Sequence, residues 1–154
     1  MKKVKPCVGW REWVQLPALH IDAIDAKVDT GAKTCALHAY YVEPYTNADN
    51  EQWVKFGIHP SQNSKVKTVE CHAKLLEQRR VKNSGGQDEQ RYVIVTPIIV
   101  GTETFECEVT LTDRETMRFR MLLGRNALNK RFIVDPSRSY LLHRPTAKKH
   151  TVKV

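Results

Sequence analysis

Residues 92–111 read YVIVTPIIVGTETFECEVTL, and this stretch decides the fold class. Its first half is a nearly continuous run of β-branched and apolar residues, which predicts a strand buried inside a sheet. Its second half alternates strictly between apolar and polar residues from Phe105 to Leu111, which predicts a half-buried strand. Gly101-Thr102 supplies the turn between the two halves. The stretch therefore predicts a β-hairpin.

The same period of two recurs along the rest of the chain. TVECHAKL over 68–75 alternates, and WREWVQL over 10–16, IDAIDAKVD over 21–29 and WVKFGI over 53–58 also indicate strands. Helical spacing is nearly absent, and one short helix is predicted within GRNALNKR at 124–131. An all-β protein follows from this pattern.

Polar segments mark the expected loops at 44–52, 59–65 and 82–90, the last carrying Gly85-Gly86 as a hairpin tip. No internal repeat and no second-domain boundary is visible, so we expect a single domain over residues 1–143. The remaining residues, 144–154, are basic and weakly patterned, and we expect a C-terminal extension there.

Composition narrows the function classes. A content of 41% hydrophobic and 27% charged residues is that of a globular protein, and no apolar run approaches the roughly 18 residues of a membrane span. The first residues lack the apolar segment of a signal peptide, so we expect a cytoplasmic protein with no membrane partner. The net charge of +8 attracts polyanions or acidic peptides, but no nucleic-acid motif accompanies it, and we expect no nucleic-acid partner.

The 4 cysteines are widely spaced and form no C-x-x-C pair, which disfavours a zinc ribbon or a redox motif. Cys71 and Cys107 each lie on the apolar side of an alternating run, where a free cysteine packs as a small hydrophobic residue. We expect both to be core residues of a reduced protein.

The chemistry points to VDTGAKT at 28–34, where an acidic residue ends an apolar strand and Thr-Gly follows. Two carboxyl groups in one low-dielectric cleft cannot both ionise, so they share a proton and act as acid and base on a water molecule. Thr30 would add a hydroxyl, and Gly31 lets the backbone turn tightly. The chain has one Asp-Thr-Gly, so a pair requires a homodimer in which each subunit contributes Asp29.

The order of motifs resembles the retroviral-type aspartic proteases over most of the chain. Asp-Thr-Gly-Ala is followed by a long hairpin with a glycine-containing tip, a second hairpin, and Leu-Leu-Gly-Arg-Asn within MLLGRNAL at 121–128. The resemblance implies a closed β-barrel of the retropepsin (acid protease) type. It also implies that Asp29, Thr30 and Gly31 form the catalytic loop and that the hairpin at 82–88 is the flap. We accordingly assign substrate binding to Ala32, Ser84, Gly85 and Gly86.

Two longer strings, VGWREWVQLPAL at 8–19 and AKVDTGAKTCALHA at 26–39, resemble the bacterial and archaeal family named as ATP-dependent zinc proteases. That family is similar to the retropepsins in sequence. Its members often accompany an ATP-grasp ligase that adds glutamates to a ribosomal protein. The resemblance therefore implies a functional link to a glutamate ligase.

The sequence departs from these patterns at two positions. Cys35 occupies the place of a serine in the zinc-protease-named family. Lys33 occupies the place of the aspartate that, in retroviral proteases, pairs with the arginine after Leu-Gly. Arg125 is therefore expected to lack its usual partner, and the dimer contacts cannot be copied directly.

Zinc and ATP are not favoured by the residues themselves. The chain contains neither H-E-x-x-H nor a Walker loop, so we expect no bound metal or cofactor. Cys35 with His38, and Cys71 with His72, are the two pairs that could approach a metal, although neighbours in a strand point to opposite faces. Trp10 and Trp13 are expected in the core or along a groove, and Arg11 with Glu12 as a surface pair or a support for the Asp29 loop.

These observations predict a homodimeric aspartic peptidase that hydrolyses peptide bonds with water activated by two Asp29 carboxyl groups. The expected substrate is a peptide or protein, with a glutamate-rich tail as a candidate. The alternative is a non-catalytic binding module that keeps the protease fold and holds an acidic or ribosomal protein. A zinc-dependent peptidase is the further alternative.

Overall fold

The computed structural model describes residues 4–61, 64–82, 85–113 and 118–142. Two of the predictions fall outside these ranges: the substrate-binding role of Ser84, and the basic extension over 144–154.

The described residues form a protein built almost entirely of strands. A three-residue 3-10 helix spans Pro17–Leu19, and a four-residue α-helix, α1, spans Arg125–Leu128 inside the segment predicted to be helical. The strands are β1 Cys7–Val8, β2 Arg11–Leu16, β3 Ile21–Val28, β4 Cys35–His38, β5 Tyr41–Thr46, β6 Gln52–Ile58, β7 Val69–Lys82, β8 Asp88–Val100, β9 Glu103–Thr112, β10 Met121–Leu123 and β11 Ile133–Val134.

The main sheet closes into a barrel of six strands in the order β2-β3-β10-β4-β9-β8. A pairing between Gln15 on β2 and Ile99 on β8 makes the closure. Closure removes the free edges of the barrel sheet, so each barrel strand has a hydrogen-bonded neighbour on both sides. This confirms the predicted all-β fold with a closed β-barrel and one short helix near the C-terminus.

A long hairpin and two further strands extend from the barrel. β7 pairs with β8 from Leu75 beside Ile94 out to Lys82 beside Asp88, and the first half of β7 pairs with β6 instead. β5 then completes the order β8-β7-β6-β5. The hairpin predicted from the glycine-containing segment therefore exists, with its strands reaching to within a few residues of Gly85 and Gly86.

The predicted loop over 44–52 is wrong in its first part, because β5 continues through Thr46 and pairs with β6 along its whole length. Its sequence, YVEPYT, alternates weakly and contains Pro44, which resembles a loop in isolation. β5 lies at the edge of the sheet, where a proline is tolerated because one side of the strand needs no hydrogen bond.

The core follows the alternation found in the sequence. Cys71 and Cys107 are both buried, which confirms their predicted place in the core.

β4 was not predicted, because its residues Cys35 to His38 are all buried and show no alternation. β4 lies between β10 and β9 inside the barrel sheet, and burial on both faces removes the polar positions that mark a strand.

Residues 7–8 and 133–134 form a separate two-stranded parallel sheet, with Cys7 beside Ile133 and Val8 beside Val134. Over the ranges that the structure describes, no helix is both long and apolar enough to span a membrane.

Candidate active site

Asp29 follows directly after the last residue of β3. β10 runs parallel to β3 with Leu123 beside Val28, and the Asp29 N–H donates to the Leu123 carbonyl oxygen at 2.9 Å. The neighbouring Val28 N–H donates to the Trp10 carbonyl oxygen at 2.8 Å. These two hydrogen bonds, one to Leu123 of β10 and one to Trp10 just before β2, fix the point at which Asp29 leaves the sheet.

The chain turns back at once after Asp29. The Gly31 N–H donates to Asp29 Oδ1 at 2.9 Å, and the Ala32 N–H donates to the Asp29 carbonyl oxygen at 3.2 Å. A Cβ on Gly31 would lie 3.2 Å from the same Oδ1, so the turn has little room for a side chain. Asp29 is half-buried, and Thr30 and Gly31 are exposed. The structure thus brings four predicted site residues, Asp29 to Ala32, into one tight turn that orients a carboxyl oxygen.

The second half of this loop is held by the start of α1. The Arg125 N–H donates to the Ala32 carbonyl oxygen at 2.8 Å, and the Asn126 N–H donates to the Lys33 carbonyl oxygen at 3.0 Å. Gly124 permits this approach, because a Cβ there would lie 2.8 Å from the carbonyl carbon and oxygen of Thr34. The Leu-Leu-Gly-Arg-Asn motif is therefore the support of the Asp29 loop.

Arg125 has a partner other than the absent acidic residue. Its Nη1 donates to the Thr30 carbonyl oxygen at 3.0 Å. Lys33, which stands where the acidic partner was expected, is exposed. Within the chain, Arg125 therefore stabilises the loop by binding a backbone carbonyl group instead of a carboxylate.

Cys35 and Asn126 form the floor behind the loop. Asn126 Oδ1 accepts from the Cys35 N–H and from the Cys35 thiol, both at 3.2 Å, and its Nδ2 donates to the Glu108 carbonyl oxygen at 3.0 Å. Cys35 Sγ also accepts from the Gly124 N–H at 3.4 Å and lies 3.8 Å from Cys107 Sγ. This floor ties β4, β9 and α1 together directly beneath the site.

The two thiols of the floor differ in acidity. The hydrogen bond that Cys35 shares with Cys107, followed by burial, raises the pKa of Cys35. The same hydrogen bond lowers the pKa of Cys107, and the positive charge of Arg131 contributes in the same direction.

The other predicted substrate-binding residues lie in a different element. Gly85 and Gly86 are exposed between the ends of β7 and β8, and Gly86 has a φ of 83°, a conformation that favours glycine. Arg79 on the same hairpin donates to Glu108 Oε1 on β9 at 2.9 Å and pairs with Glu77. The Arg79–Glu108 contact links the hairpin to β9 of the barrel, and the role of the hairpin tip in substrate binding stays a prediction.

Of the two roles that the sequence suggested for Glu12, the surface pair with Arg11 is wrong. The Glu12 side chain is 0% exposed. Glu12 Oε2 accepts from the N–H groups of Gly9 and Leu141, both at 2.8 Å, and Oε1 accepts from the Leu142 N–H at 3.1 Å. Burial is possible because three backbone donors replace water around the carboxyl group.

Residues 138–142, which we call the C-terminal strap, cross the start of β2 at this point. The Trp10 N–H donates to the Arg138 carbonyl oxygen at 2.7 Å, and the Tyr140 N–H donates to the Arg11 carbonyl oxygen at 3.0 Å. The Arg11 guanidinium lies between the Trp10 and Tyr140 rings, 4.5 and 4.7 Å from their centroids. Trp10 therefore contacts the strap through its N–H and Val28, the residue before Asp29, through its carbonyl oxygen. One residue thus supports both the strap and the end of β3 from which Asp29 emerges.

A signal for this arrangement was present in VGWREW. A Cβ on Gly9 would lie 2.2 Å from the Arg138 carbonyl oxygen, so the glycine is required by the crossing of the strap. Tyr140 Oη donates to Asp25 Oδ2 at 2.6 Å, and burial, followed by this hydrogen bond, raises the pKa of Tyr140 to about 12. The strap lies more than 120 residues further along the chain, which is why the spacing of the motif could not reveal its partner.

The pairs considered as metal ligands do not converge. Cys71 is buried and His72 is exposed on the opposite face of β7, where its Nδ1 forms a hydrogen bond with Tyr45 Oη at 2.9 Å. Cys35 is oriented toward Cys107 and Asn126. Throughout the part of the chain that the structure describes, no group of three or more His, Cys, Asp or Glu side chains could hold a metal ion.

The arrangement supplies one oriented carboxyl group per chain. A single carboxyl can act as an acid or as a base, but hydrolysis of an amide by activated water uses both at once. An acid/base pair of carboxyl groups at this loop would therefore need a second carboxyl group besides that of Asp29.

Comparison with known proteins gives a consistent family signal. The model of the RimB-like family, described as retropepsin-like aspartic endopeptidase RimB, matches residues 7–145. Proteins described as probable alpha-L-glutamate ligases from Shewanella pealeana and Shewanella halifaxensis are each 43% identical over 142 residues, which cover 92% of this chain and 31% of theirs. The chain thus spans about a third of the length of these curated relatives.

A third relative, also described as a probable alpha-L-glutamate ligase and found in Parasynechococcus marenigrum, is 44% identical over 138 residues, 90% of this chain and 29% of its own length. Among solved structures, the crystal structure of Lpg0085, a protein of unknown function from Legionella pneumophila, superposes with a TM-score of 0.74 at 22% identity. The match covers 90% of this chain and 98% of that one, and it shows a shared fold.

Proposed function

The chain belongs to the RimB-like family of retropepsin-like aspartic endopeptidases, and from that premise we propose that it is a peptidase whose active site is completed by a second copy of itself. Each copy contributes one Asp29, and the two carboxyl groups share a proton in one cleft. The enzyme acts in the cytoplasm on a peptide or protein substrate.

The observation that carries this proposal is the Asp29 turn. Its carboxyl oxygen is oriented by the Gly31 N–H at 2.9 Å, and the loop behind it is held by the N–H groups of Arg125 and Asn126. A surface aspartate in an ordinary turn needs no such bracing from a distant part of the chain. The exposure of Thr30 and Gly31 leaves the carboxyl side of the turn open to a partner and to substrate.

In the proposed mechanism, two Asp29 carboxyl groups a few Å apart hold a single proton, because both cannot be ionised at that distance. The ionised carboxyl takes a proton from water, which attacks the carbonyl carbon of the peptide bond. The protonated carboxyl gives its proton to the carbonyl oxygen, which yields a tetrahedral diol. When the C–N bond breaks, the carboxyl that took the water proton passes it to the leaving amine, and the other carboxyl takes a proton back from the diol as the carboxylic acid product forms. Gly31 keeps the reacting oxygen oriented, and Ala32 and the hairpin tip with Gly85 and Gly86 contact the substrate.

A glutamate-rich substrate suits the charges next to Asp29. Lys27, Lys33 and Arg125 are exposed around the turn, and the whole chain carries a net charge of +8. Such a field favours the approach of an acidic peptide and weakens as salt is added. The names of the relatives, probable alpha-L-glutamate ligases, support a functional link between this domain and an enzyme that joins glutamates.

The second candidate is a binding module that holds an acidic or ribosomal protein without cleaving it. The basic charge around the turn favours this function as much as it favours catalysis. The two functions differ in one measurable respect: a module binds the acidic peptide and leaves it intact. The zinc-dependent alternative has no ligand set among the residues that the structure describes.

The deciding experiment replaces Asp29 with Asn, which keeps the size of the side chain and removes its acid/base function. We expect Asp29→Asn to lower the rate of cleavage of an oligoglutamate peptide and of a mixed peptide library by at least about a hundredfold. Thermal unfolding should be nearly unchanged, because the Gly31 N–H can still donate to the amide oxygen.

Asp49→Asn is the matched control, because Asp49 is exposed in the turn after β5, and it should retain full activity. Cleavage by Asp29→Asn at the unmodified rate would remove Asp29 from the mechanism. If the unmodified chain and Asp29→Asn both bind the acidic peptide and neither cleaves it, the binding module is established instead.

A further inference from the structure

Two thiols lie side by side beneath the Asp29 loop, and the mechanism uses neither of them. Cys35 on β4 and Cys107 on β9 belong to neighbouring parallel strands, and their sulfur atoms are 3.8 Å apart. Both are free cysteines. We propose that Cys35 and Cys107 form a reversible disulfide when a peroxide reaches them, and that this bond is a covalent switch in the support of the Asp29 loop.

The position of Cys35 connects this pair to the loop. Its thiol donates to Asn126 Oδ1 at 3.2 Å, and its sulfur accepts from the Gly124 N–H at 3.4 Å. Gly124 and Asn126 belong to the segment that holds the carbonyl groups of Ala32 and Lys33. Anything that moves the Cys35 sulfur therefore acts on the same residues that brace Asp29.

Bond formation must move that sulfur. A disulfide has a length of about 2.05 Å, so the two sulfurs have to approach each other by roughly 1.8 Å. Cys35 also loses its S–H, and with it the hydrogen bond to Asn126 Oδ1. Cys107 is two residues before Val109, the residue beside Cys35, so β4 and β9 must also adjust to bring the side chains together.

Cys107 is the thiol that reacts first. It is 5% exposed, whereas Cys35 is 0% exposed and donates its one thiol proton to Asn126 Oδ1. The Arg131 guanidinium lies 4.1 Å from the ring centroid of Phe105, two residues before Cys107 on the same face of β9. A nearby cation favours the thiolate, which is the reactive form toward peroxide.

The reaction balances with one peroxide molecule. The sulfur of Cys107 attacks one oxygen of hydrogen peroxide, the O–O bond breaks, and the thiol proton leaves with the other oxygen as water, which gives a sulfenic acid. The sulfur of Cys35 then attacks the sulfur of Cys107, and the S–O bond breaks. The departing hydroxide takes the Cys35 proton as a second water. Both sulfurs are oxidised by one electron each, and the peroxide is reduced.

The other two cysteines are suited to serve as internal controls. The Cys71 thiol donates to the Leu19 carbonyl oxygen at 3.5 Å, and the Cys7 thiol donates to the Val8 carbonyl oxygen at 3.7 Å. Both thiols thus contact backbone, and we expect them to stay reduced while Cys35 and Cys107 are joined.

The test treats the folded protein with hydrogen peroxide, blocks the remaining thiols with an alkylating reagent, and identifies linked peptides by mass spectrometry. We expect a peptide containing Cys35 joined to one containing Cys107, two hydrogens lighter than their sum, and its disappearance after dithiothreitol. Cys107→Ser should give no linked peptide, and Cys71→Ser should give the same linked peptide as the unmodified chain. Cys107→Ala replaces the serine variant if the latter does not fold.

The effect on the loop is measured separately, so that the disulfide and the proposed peptidase function are tested independently. The oxidised protein should show an altered melting temperature that dithiothreitol restores. Where cleavage is observed, its rate should fall at least severalfold on oxidation in the unmodified chain and not in Cys107→Ser. Four alkylated thiols after peroxide, a sulfinic acid on Cys107 without a linked peptide, or a bond to Cys7 or Cys71 would each overturn the proposal.

Discussion

Glu12 illustrates how a single side chain can fix the position of a chain segment far away in sequence. A carboxyl group removed from water loses hydration, and it is tolerated in the interior only when protein donors replace that water. Here the donors are the N–H groups of Gly9, Leu141 and Leu142. Two of them belong to the C-terminal strap, so Glu12 joins the bend between β1 and β2 to the last segment that the structure describes.

Replacement of Glu12 by Ala should lower the free energy of unfolding by about 3 kcal/mol, because one buried and two partly buried N–H groups lose their acceptor and each unsatisfied buried donor costs about 1–3 kcal/mol. Urea unfolding measures the change. Glu43→Ala is the matched control: Glu43 is exposed and pairs with Lys55 at 3.2 Å, so its loss should cost about 0–1 kcal/mol. Equal stability losses in the two variants would show that Glu12 does not hold the strap.

At the scale of elements, the site depends on the junction between β10 and α1. β10 pairs with both β3 and β4, so it holds the Asp29 end of the loop on one side and the Cys35 end on the other. α1 then presents its first N–H groups to the loop carbonyls. A helix of four residues has little stability of its own, and its place comes from these contacts.

Gly124→Ala should disturb this junction. The new Cβ would lie 2.8 Å from the backbone of Thr34 and 3.0 Å from the Ala32 carbonyl oxygen, so the loop has to move. We expect a loss of about 1–3 kcal/mol in the free energy of unfolding, as for other overpacked sites, together with a fall in any cleavage activity. Urea titration and the peptide assay measure both effects.

Asn129→Ala provides the comparison for that variant, because Asn129 is exposed at the other end of α1. It should change stability by less than about 0.5 kcal/mol. If Gly124→Ala were as stable and as active as Asn129→Ala, the close approach of Gly124 to the loop would have no functional importance.

At the scale of the whole molecule, one chain offers one Asp-Thr-Gly loop. The proposed chemistry needs two, and a two-fold axis through the cleft is the simplest way to supply the second. Lys33 and Arg125 beside the turn make the contacts of such a dimer different from an Asp–Arg pair. The association must therefore rely on other surfaces, and its strength sets the concentration at which the site exists.

Activity per chain should consequently rise with protein concentration and reach a plateau once dimers predominate, because the monomer lacks half of the acid/base pair. Sedimentation at increasing concentration, run beside the peptide assay, should give the same midpoint for dimer formation and for activity. A protein that sediments as a monomer at every concentration and still cleaves would exclude the paired Asp29 mechanism. Mixing with Asp29→Asn should lower the activity of the unmodified chain by forming incomplete dimers.

The sequence alone determined the strands that have one face in the core, because alternation of apolar and polar residues follows directly from the geometry of a pleated strand. The first half of β7 and strand β9 are of this kind. The Asp-Thr-Gly motif also located the candidate site, since a carboxyl followed by a hydroxyl and a glycine has a local chemical meaning. These features need only neighbours in the chain.

Tertiary structure alone decided the features whose partners are distant in sequence. β4 is buried on both faces and β5 lies at a sheet edge, so neither shows the alternation that marks a half-buried strand. Glu12 resembles a surface residue until the strap, more than 120 residues later, supplies its donors. Cys35 and Cys107 became neighbours only when β4 and β9 paired. Local chemistry can be read from local sequence, whereas contacts between distant segments exist only after the barrel has closed.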